Sequence, residues 1–143
     1  MLSKSSKYAI KAVIYLAVNS SQEHKVLVRD MYQEVNVSET YLAKLMQMLA
    51  RQKIISSSKG RGGGFYLTED NMDKTLLDIV RAIDGLDGLT SCVLGINACD
   101  VTNPCVLHDL VGSSKSDFYR VLDRTSLNAV VKRVQQGKLN FPL

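Results

Sequence analysis

The sequence predicts a mainly α-helical protein with one small β-hairpin. Apolar residues recur three or four positions apart in five stretches of the chain, which is the spacing of helices that bury one face. Two short strand-like runs flank the glycine-rich segment 59–64, as in a hairpin. All three cysteines lie within the fourteen residues 92–105, so the chemistry of the chain is expected in its second half.

Three helices are expected before the hairpin. The first covers Lys4–Asn19 and the second Val28–Val35, and each carries an apolar stripe. The third runs over 39–52, where three leucines and Met46 face the core. Ser38 is expected to cap this third helix, because a serine hydroxyl can accept a backbone N–H of the first turn.

The second and third helices, joined by a short turn, indicate a helix-turn-helix. The outward face of the third helix offers short, polar or basic side chains, which suit contact with base edges and phosphates. Any small helical bundle contains such a pair, so the interpretation depends on the hairpin that follows. The residues of this segment that we assign to DNA contact are Ser38, Thr40, Tyr41, Lys44, Gln47 and Arg51.

The hairpin follows the third helix directly, with strands expected over 54–58 and 65–68. Its glycine-rich tip permits positive φ and a close approach of the backbone to a phosphate. A hairpin in this place is the wing of a winged helix-turn-helix domain, here residues 1–70. The alternative, a nucleotide-phosphate loop, lacks the Lys-Ser or Lys-Thr pair and the following helix that it requires. From the wing we assign Lys59, Arg61, Gly62 and Gly63 to DNA contact.

Charge and composition restrict the class of protein. Residues 1–67 hold ten lysines and arginines against four acidic residues, whereas the remainder holds eight against ten. This asymmetry indicates a polyanion as the partner of the first half, although a solubilising surface has the same pattern. Together with the winged helix-turn-helix, it favours double-stranded DNA as that partner. The apolar runs are shorter than the roughly 20 residues that span a bilayer, and residues 1–11 lack the pattern of a signal peptide. We therefore expect a cytoplasmic protein without membrane contact, and no catalytic constellation indicates an enzyme.

The second half begins with a connecting segment, residues 71–90. Its helix is expected to start at a capping pair, Thr75 with Asp78, and to run to Ile83, where Asp84 and Gly85 end it. A loop with glycine, asparagine and proline follows over 86–104.

Residues 105–125 fit one long amphipathic helix, which we assign to dimerisation. Packing within the chain alone is the alternative. A bend near Gly112 is a further alternative, because glycine costs a helix interior about 1 kcal/mol. Residues 126–143 are expected to form a short helix, capped by Ser126 and ended by Gly137, and a tail.

The cysteine sensor loop, residues 91–108, holds Cys92, Cys99, Cys105 and His108. Soft thiolates on a flexible loop suit zinc or an iron–sulfur cluster, and Cys105 and His108 would share one face of a helix. The spacing does not separate the two metals. The simpler interpretation is that the cysteines are small core residues.

The chain resembles the Rrf-type winged-helix transcriptional regulators (IscR/NsrR-like) over nearly its whole length. The resemblance rests on residues 6–10, 37–42, 59–67 and 77–85 and on the three-cysteine loop. It implies a regulator that senses iron–sulfur status, redox state or nitric oxide, as a homodimer on a partly palindromic operator.

The resemblance also implies a cofactor on each subunit. Cys92, Cys99 and Cys105 match the family's three ligands to an iron–sulfur cluster, and His108 falls where 2Fe–2S members place a histidine. Some 4Fe–4S members use an aspartate of the partner at the position of Lys7, and lysine is a poor ligand. The 2Fe–2S form is therefore favoured over 4Fe–4S.

Other interpretations remain open at this point. One keeps DNA binding but makes the cysteines a thiol–disulfide switch or a zinc site, without a cluster. Another is a zinc-stapled module whose basic half binds an acidic protein.

Overall fold

The computed structural model describes residues 2–137, which form eight helices and one two-stranded antiparallel sheet. Six residues of the predicted C-terminal tail, 138–143, lie outside the described residues. The elements are α1 Lys4–Asn19, α2 Val28–Val35, α3 Glu39–Arg51, β1 Ser56–Ser58, β2 Gly64–Tyr66, α4 Glu69–Met72, α5 Leu76–Asp84, α6 Asp87–Thr90, α7 His108–Arg124 and α8 Leu127–Gln135. The predicted mainly α-helical fold with a small hairpin is confirmed.

The first three helices lie where the apolar spacing predicts them. Ser38 caps α3, and its hydroxyl accepts the backbone N–H of Tyr41 at 3.3 Å. The turn between α2 and α3 passes through Asn36 at φ 60° and ψ 55°, a left-handed conformation that asparagine tolerates better than most residues. The apolar faces meet in one core around fully buried side chains, which include Leu16, Met31, Val35, Leu42, Met46 and Leu49.

The hairpin is shorter than predicted, with three residues in each strand. Ile54 and Ile55 belong to the core instead of the sheet, because both side chains are buried under α1–α3. The strands pair Ser56 with Tyr66 and Ser58 with Gly64. A bridge from Val26 to Phe65 adds a third chain segment, so the hairpin is fixed to the helical core along one edge.

The connecting segment has the predicted cap. The Thr75 hydroxyl accepts the backbone N–H of Asp78, and the Asp78 carboxylate accepts that of Thr75. The helix α5 ends at Asp84, one residue beyond the predicted Ile83, and Gly85 follows with φ 72°. It packs against α1, α3 and α7 and so lies between the DNA-binding half and the cysteine half.

Two details of the second half differ from the prediction. The loop 86–104 contains the short helix α6, because Leu89 is buried against α5 and α7 in a second small core. The long helix begins at His108 instead of residue 105, since the backbone N–H of His108 bonds to the Cys105 carbonyl in a turn. As predicted for one long helix, it then runs through Gly112 without a break. Ser126 caps α8 as predicted, and Gly137 follows it at φ 67°.

Candidate DNA-binding surface and cysteine site

The outer face of α3 presents the polar side chains that the sequence assigns to DNA contact. Thr40, Lys44, Gln47 and Arg51 are exposed on it, and the exposed Ser38 hydroxyl keeps its own proton free to donate. Tyr41 differs from these four. Its hydroxyl is hydrogen-bonded to Ser5 of α1, and 37% of the residue is exposed.

The tip of the wing is a tight glycine turn. The backbone N–H of Gly63 donates to the Gly60 carbonyl at 3.0 Å, and a Cβ on Gly63 would lie 2.3 Å from the Ser58 carbonyl oxygen. Gly60 and Gly62 have φ of 83° and 74°, which side chains rarely adopt. Lys59 and Arg61 are both exposed beside these glycines. The tip therefore presents two cations next to a backbone that a phosphate can approach closely.

The structure adds a cation that the sequence analysis missed. The Lys25 ammonium lies 5.3 Å from the centroid of the Tyr66 ring on β2, within range of a cation–π interaction. The sequence offers only a weak signal for this contact, because Lys25 lies in the connection before α2, far from the hairpin in sequence. Within residues 2–137 the two ion pairs are Arg81–Asp78 and Arg120–Asp117, so no cation assigned to DNA contact is neutralised there.

The three cysteines converge although the loop separates them in sequence. Their sulfur atoms all lie within 4.8 Å of one another, and all three are free and half-buried. Cys92 Sγ is 3.6 Å from Cys105 Sγ, and Cys99 Sγ is 3.2 Å from His108 Nδ1. The residues predicted as metal ligands are therefore brought together.

Different elements place the four side chains. Cys92 follows α6, which Leu89 anchors, and His108 is the first residue of α7. Between them the loop turns on Asp100, whose carboxylate accepts the hydroxyl and backbone N–H of Thr102 and the backbone N–H of Asn103. These bonds lower the pKa of Asp100. The turn brings Cys99 and Cys105 together, and the Cys105 backbone N–H donates to Cys99 Sγ at 3.4 Å.

The thiols have unequal acidity. The backbone N–H of Ile96, helped by that of Leu94 and by the neighbouring thiols, lowers the pKa of Cys92 to about 7 despite desolvation. At Cys99 the backbone N–H of Cys105 lowers the pKa, but desolvation and the adjacent thiols outweigh it, so the pKa is raised. Cys92 therefore forms a thiolate at lower pH than Cys99, and the thiolate is the species that binds metals and reacts with oxidants.

The donor set fits a soft metal. Thiolates on one tetrahedral zinc, each about 2.3 Å from the metal, are about 3.8 Å apart, close to the observed 3.6 Å between Cys92 and Cys105. Three cysteines and one histidine also satisfy the four external ligands of an iron–sulfur cluster.

A groove of about 560 Å³ extends from the cysteines along α7 to Arg124. Lys115 and Arg120 line it, and the Lys115 ammonium donates a hydrogen bond to the Ser91 carbonyl next to Cys92. Along α7 only Leu122 is buried, whereas Leu110 is 74% and Val121 60% exposed. Within residues 2–137, every helix is too short or too polar to span a bilayer.

Comparison with known proteins identifies the type of regulator. Residues 2–133 match the model of the Rrf2 family, described as iron-dependent transcriptional regulators. The regulator IscR of Photorhabdus laumondii is 29% identical over 91% of this chain and 78% of its own length. The regulator NsrR of Oceanobacillus iheyensis is 22% identical over 94% and 92%, respectively.

A solved structure supports the fold independently. The global cysteine regulator CymR of B. subtilis superposes with a TM-score of 0.73 and 24% identity, over 92% of this chain and 96% of CymR. The IscR and NsrR relatives are named as transcriptional regulators, in agreement with the expectation of a regulator and not an enzyme. The family match, the winged helix-turn-helix and the three-cysteine loop agree, and the chain belongs to the Rrf2 family of DNA-binding transcriptional regulators.

Proposed function

We propose that this chain regulates transcription as a homodimer whose affinity for DNA depends on an iron–sulfur cluster. Cys92, Cys99 and Cys105 would hold the cluster, and His108 would supply the fourth ligand. The observation that carries the proposal is the convergence of the three sulfurs within 4.8 Å, with His108 Nδ1 3.2 Å from one of them. The IscR and NsrR relatives are named as helix-turn-helix transcriptional regulators, which supports the DNA-binding part of the proposal.

A 2Fe–2S cluster is the proposed form. Histidine ligation of one iron raises the reduction potential of such a cluster. With His108 as the fourth ligand, all four ligands come from one chain. Lys7 offers no carboxylate, so this chain lacks the side chain that a partner would contribute to a 4Fe–4S centre. When bound, the cluster supplies a site that oxidants, nitric oxide or iron shortage can alter.

The residues around the site would transmit that change to DNA. A ligand that draws the four side chains together orders the segment between α6 and α7. Helix α7 packs on α5, and Leu89 of α6 lies in the same small core as Leu77 of α5. Helix α5 packs in turn on α1 and α3. Two recognition helices must lie about 34 Å apart, one DNA turn, to bind two half-sites together, so a small change in their presentation alters affinity.

The proposed dimer contact is α7. A helix of 17 residues is about 25 Å long, and Leu110 and Val121 leave apolar surface exposed along it. Pairing with the same helix of a second copy would cover both side chains. Sedimentation of Leu110→Lys and Val121→Lys variants tests this, and a dimer that survives both substitutions contradicts it.

The function is tested by operator affinity before and after cluster loading. A DNA duplex that the wild-type protein selects from a random library serves as the operator probe. We expect affinity to change at least about fivefold on reconstitution with iron and sulfide. His108→Ala should weaken or remove this response, whereas His24→Ala, in an exposed turn, should leave it intact. Identical affinity of the loaded and cluster-free wild type contradicts the proposal.

A thiol–disulfide switch is a second candidate, favoured by one observation. Cys92, with a pKa of about 7, lies 3.6 Å from the Cys105 sulfur, and a disulfide needs these atoms to close to about 2.05 Å. Oxidation would form the S–S bond as the O–O bond of a peroxide breaks, and the two electrons and two thiol protons would pass to the peroxide to give an alcohol and water. A change of operator affinity on adding reductant alone, without iron, supports this candidate, and no change excludes it.

A further inference from the structure

The first turn of α1 is bonded on one side to the end of α5 and on the other to the recognition helix. These bonds connect three elements that lie far apart in sequence. They involve residues at the junction between the cysteine half and the DNA-binding half, and neither the metal site nor the DNA-facing cations account for them.

On the first side, Asp84 accepts two serine hydroxyls. The Ser6 hydroxyl donates to the Asp84 carboxylate at 2.5 Å, and the Ser3 hydroxyl donates to the same oxygen. Ser6 is one of two polar residues that are buried within the described chain, with 0% exposed. A buried hydroxyl costs free energy without a partner, so this bond fixes the end of α5 against α1.

Asp84 also stands at the start of the path to the cysteines. It is the last residue of α5, and Gly85 then leads into α6 and, eight residues after Asp84, to Cys92. Leu89 of α6 packs against Leu77 of α5 in the second core. A displacement of Cys92 therefore reaches the end of α5 through a short and partly packed segment.

On the second side, α1 holds the start of the recognition helix. The hydroxyls of Ser5 and Tyr41 are hydrogen-bonded, and the Tyr8 ring meets the Tyr41 ring edge-on with centroids 6.2 Å apart. Tyr41 lies in the first turn of α3, directly after the cap at Ser38. The first turn of α1 thus sets the position of the end of α3 that would enter DNA first.

We propose that Asp84 is a positioning residue that transmits the state of the cysteine site to the recognition helix through Ser6 and Tyr41. The inference rests on the proposed function and names its route of regulation. The hydrogen bonds are the part of the route that can be made or broken, whereas the packed core around Ile79 deforms little. When the bonds hold, the ends of α5, α1 and α3 move as one unit.

The test compares operator affinity of loaded and metal-free protein for four chains. Asp84→Ala removes both acceptor oxygens of the first link, Ser6→Ala removes its buried bond, and Asp87→Ala is the matched control. The control removes the same charge three residues away, from an exposed side chain without a hydrogen bond among the described residues. The duplex is the one selected by the wild type, and salt is held constant because affinity for DNA depends on it.

We expect the wild type and Asp87→Ala to share a ratio of at least about fivefold between the two forms. In Asp84→Ala and Ser6→Ala the ratio should fall to within about twofold. A merely structural role would weaken both forms equally and leave the ratio unchanged, and that result overturns the inference. If the loaded and metal-free wild type bind the operator with equal affinity, the proposed function is overturned as well. This result is obtained before the variants are compared.

A second measurement uses metal-free protein only. Hydrogen exchange of residues 39–51 should quicken at the first turn of α3 in Ser5→Ala and Ser6→Ala but not in Asp87→Ala. Ser5→Ala breaks the second link without removing a fully buried hydroxyl, so it keeps the test valid if Ser6→Ala folds poorly. Unchanged exchange at α3 in Ser5→Ala contradicts the route.

Discussion

Asn71 should hold the wing in place, although nothing in its sequence context indicates this. The residue is buried, and its side-chain oxygen accepts the Ser56 hydroxyl at 2.7 Å and the Thr68 backbone N–H and hydroxyl at 2.9 and 3.0 Å. Its amide donates to the Lys53 carbonyl at 3.2 Å. One side chain thereby joins the segment before β1, β1 itself and the segment after β2.

The substitution Asn71→Ala removes these four bonds and leaves their partners facing a cavity. Each such bond contributes about 0.5–1.5 kcal/mol net to stability. Because the four bonds share one side chain, their contributions do not simply add, and we expect a loss of about 2–4 kcal/mol in the free energy of unfolding. At this chain length 1 kcal/mol corresponds to about 4 °C, which gives a decrease in Tm of roughly 8–16 °C.

Thermal unfolding followed by circular dichroism at one fixed protein concentration measures this loss. Asn128→Ala is the control, because the Asn128 amide makes one exposed bond, to Asp73 at 3.2 Å. We expect the control to lose less than about 1 kcal/mol. If Asn71→Ala is no less stable than Asn128→Ala, the assignment of the wing's support to Asn71 is wrong.

Three further predictions follow from the wing, the thiols and the long helix. Lys59→Ala should reduce the slope of log affinity against log salt by about 1, as expected for one lost phosphate contact, and an unchanged slope in DNA titrations would contradict that contact. In metal-free protein, iodoacetamide should modify Cys92 faster than Cys99, with a rate that rises as pH increases through about 7 because the thiolate reacts. Equal rates across that range, measured by mass spectrometry of peptides, would refute it. Gly112→Ala should raise the free energy of unfolding by about 0.5–1 kcal/mol, since a Cβ there meets nothing within 4 Å and the backbone is helical; urea denaturation that shows a loss would disprove this.

The parts of the fold that sequence predicted correctly depend on local rules. Helices α1 to α3 follow from apolar spacing, and the caps at Ser38 and Thr75 follow from hydroxyls that bond within the next three residues. These signals need no distant partner.

The parts that were missed depend on contacts between distant residues. The four-residue helix α6 exists because Leu89 is buried against Leu77 and Leu122, which lie 12 and 33 positions away. Asn71 has partners 15 and 18 positions away, and a single asparagine carries no periodic signal.

The candidate metal site shows the same division. The spacing of the cysteines predicted a shared site, since all lie on one loop. It could not predict that His108 Nδ1 would lie against Cys99 instead of Cys105, because the helix begins only at His108. The assignment of the four as ligands stays a prediction.

The proposal that the cysteines hold an iron–sulfur cluster can be examined on the protein as purified without oxygen. Absorbance in the visible region, with iron and sulfide analysis, should give a coloured protein with about two irons and two sulfides per chain. Cys105→Ser should lose the colour and most of the iron. A colourless protein that carries one zinc per chain would contradict the cluster and leave a zinc-dependent regulator in its place.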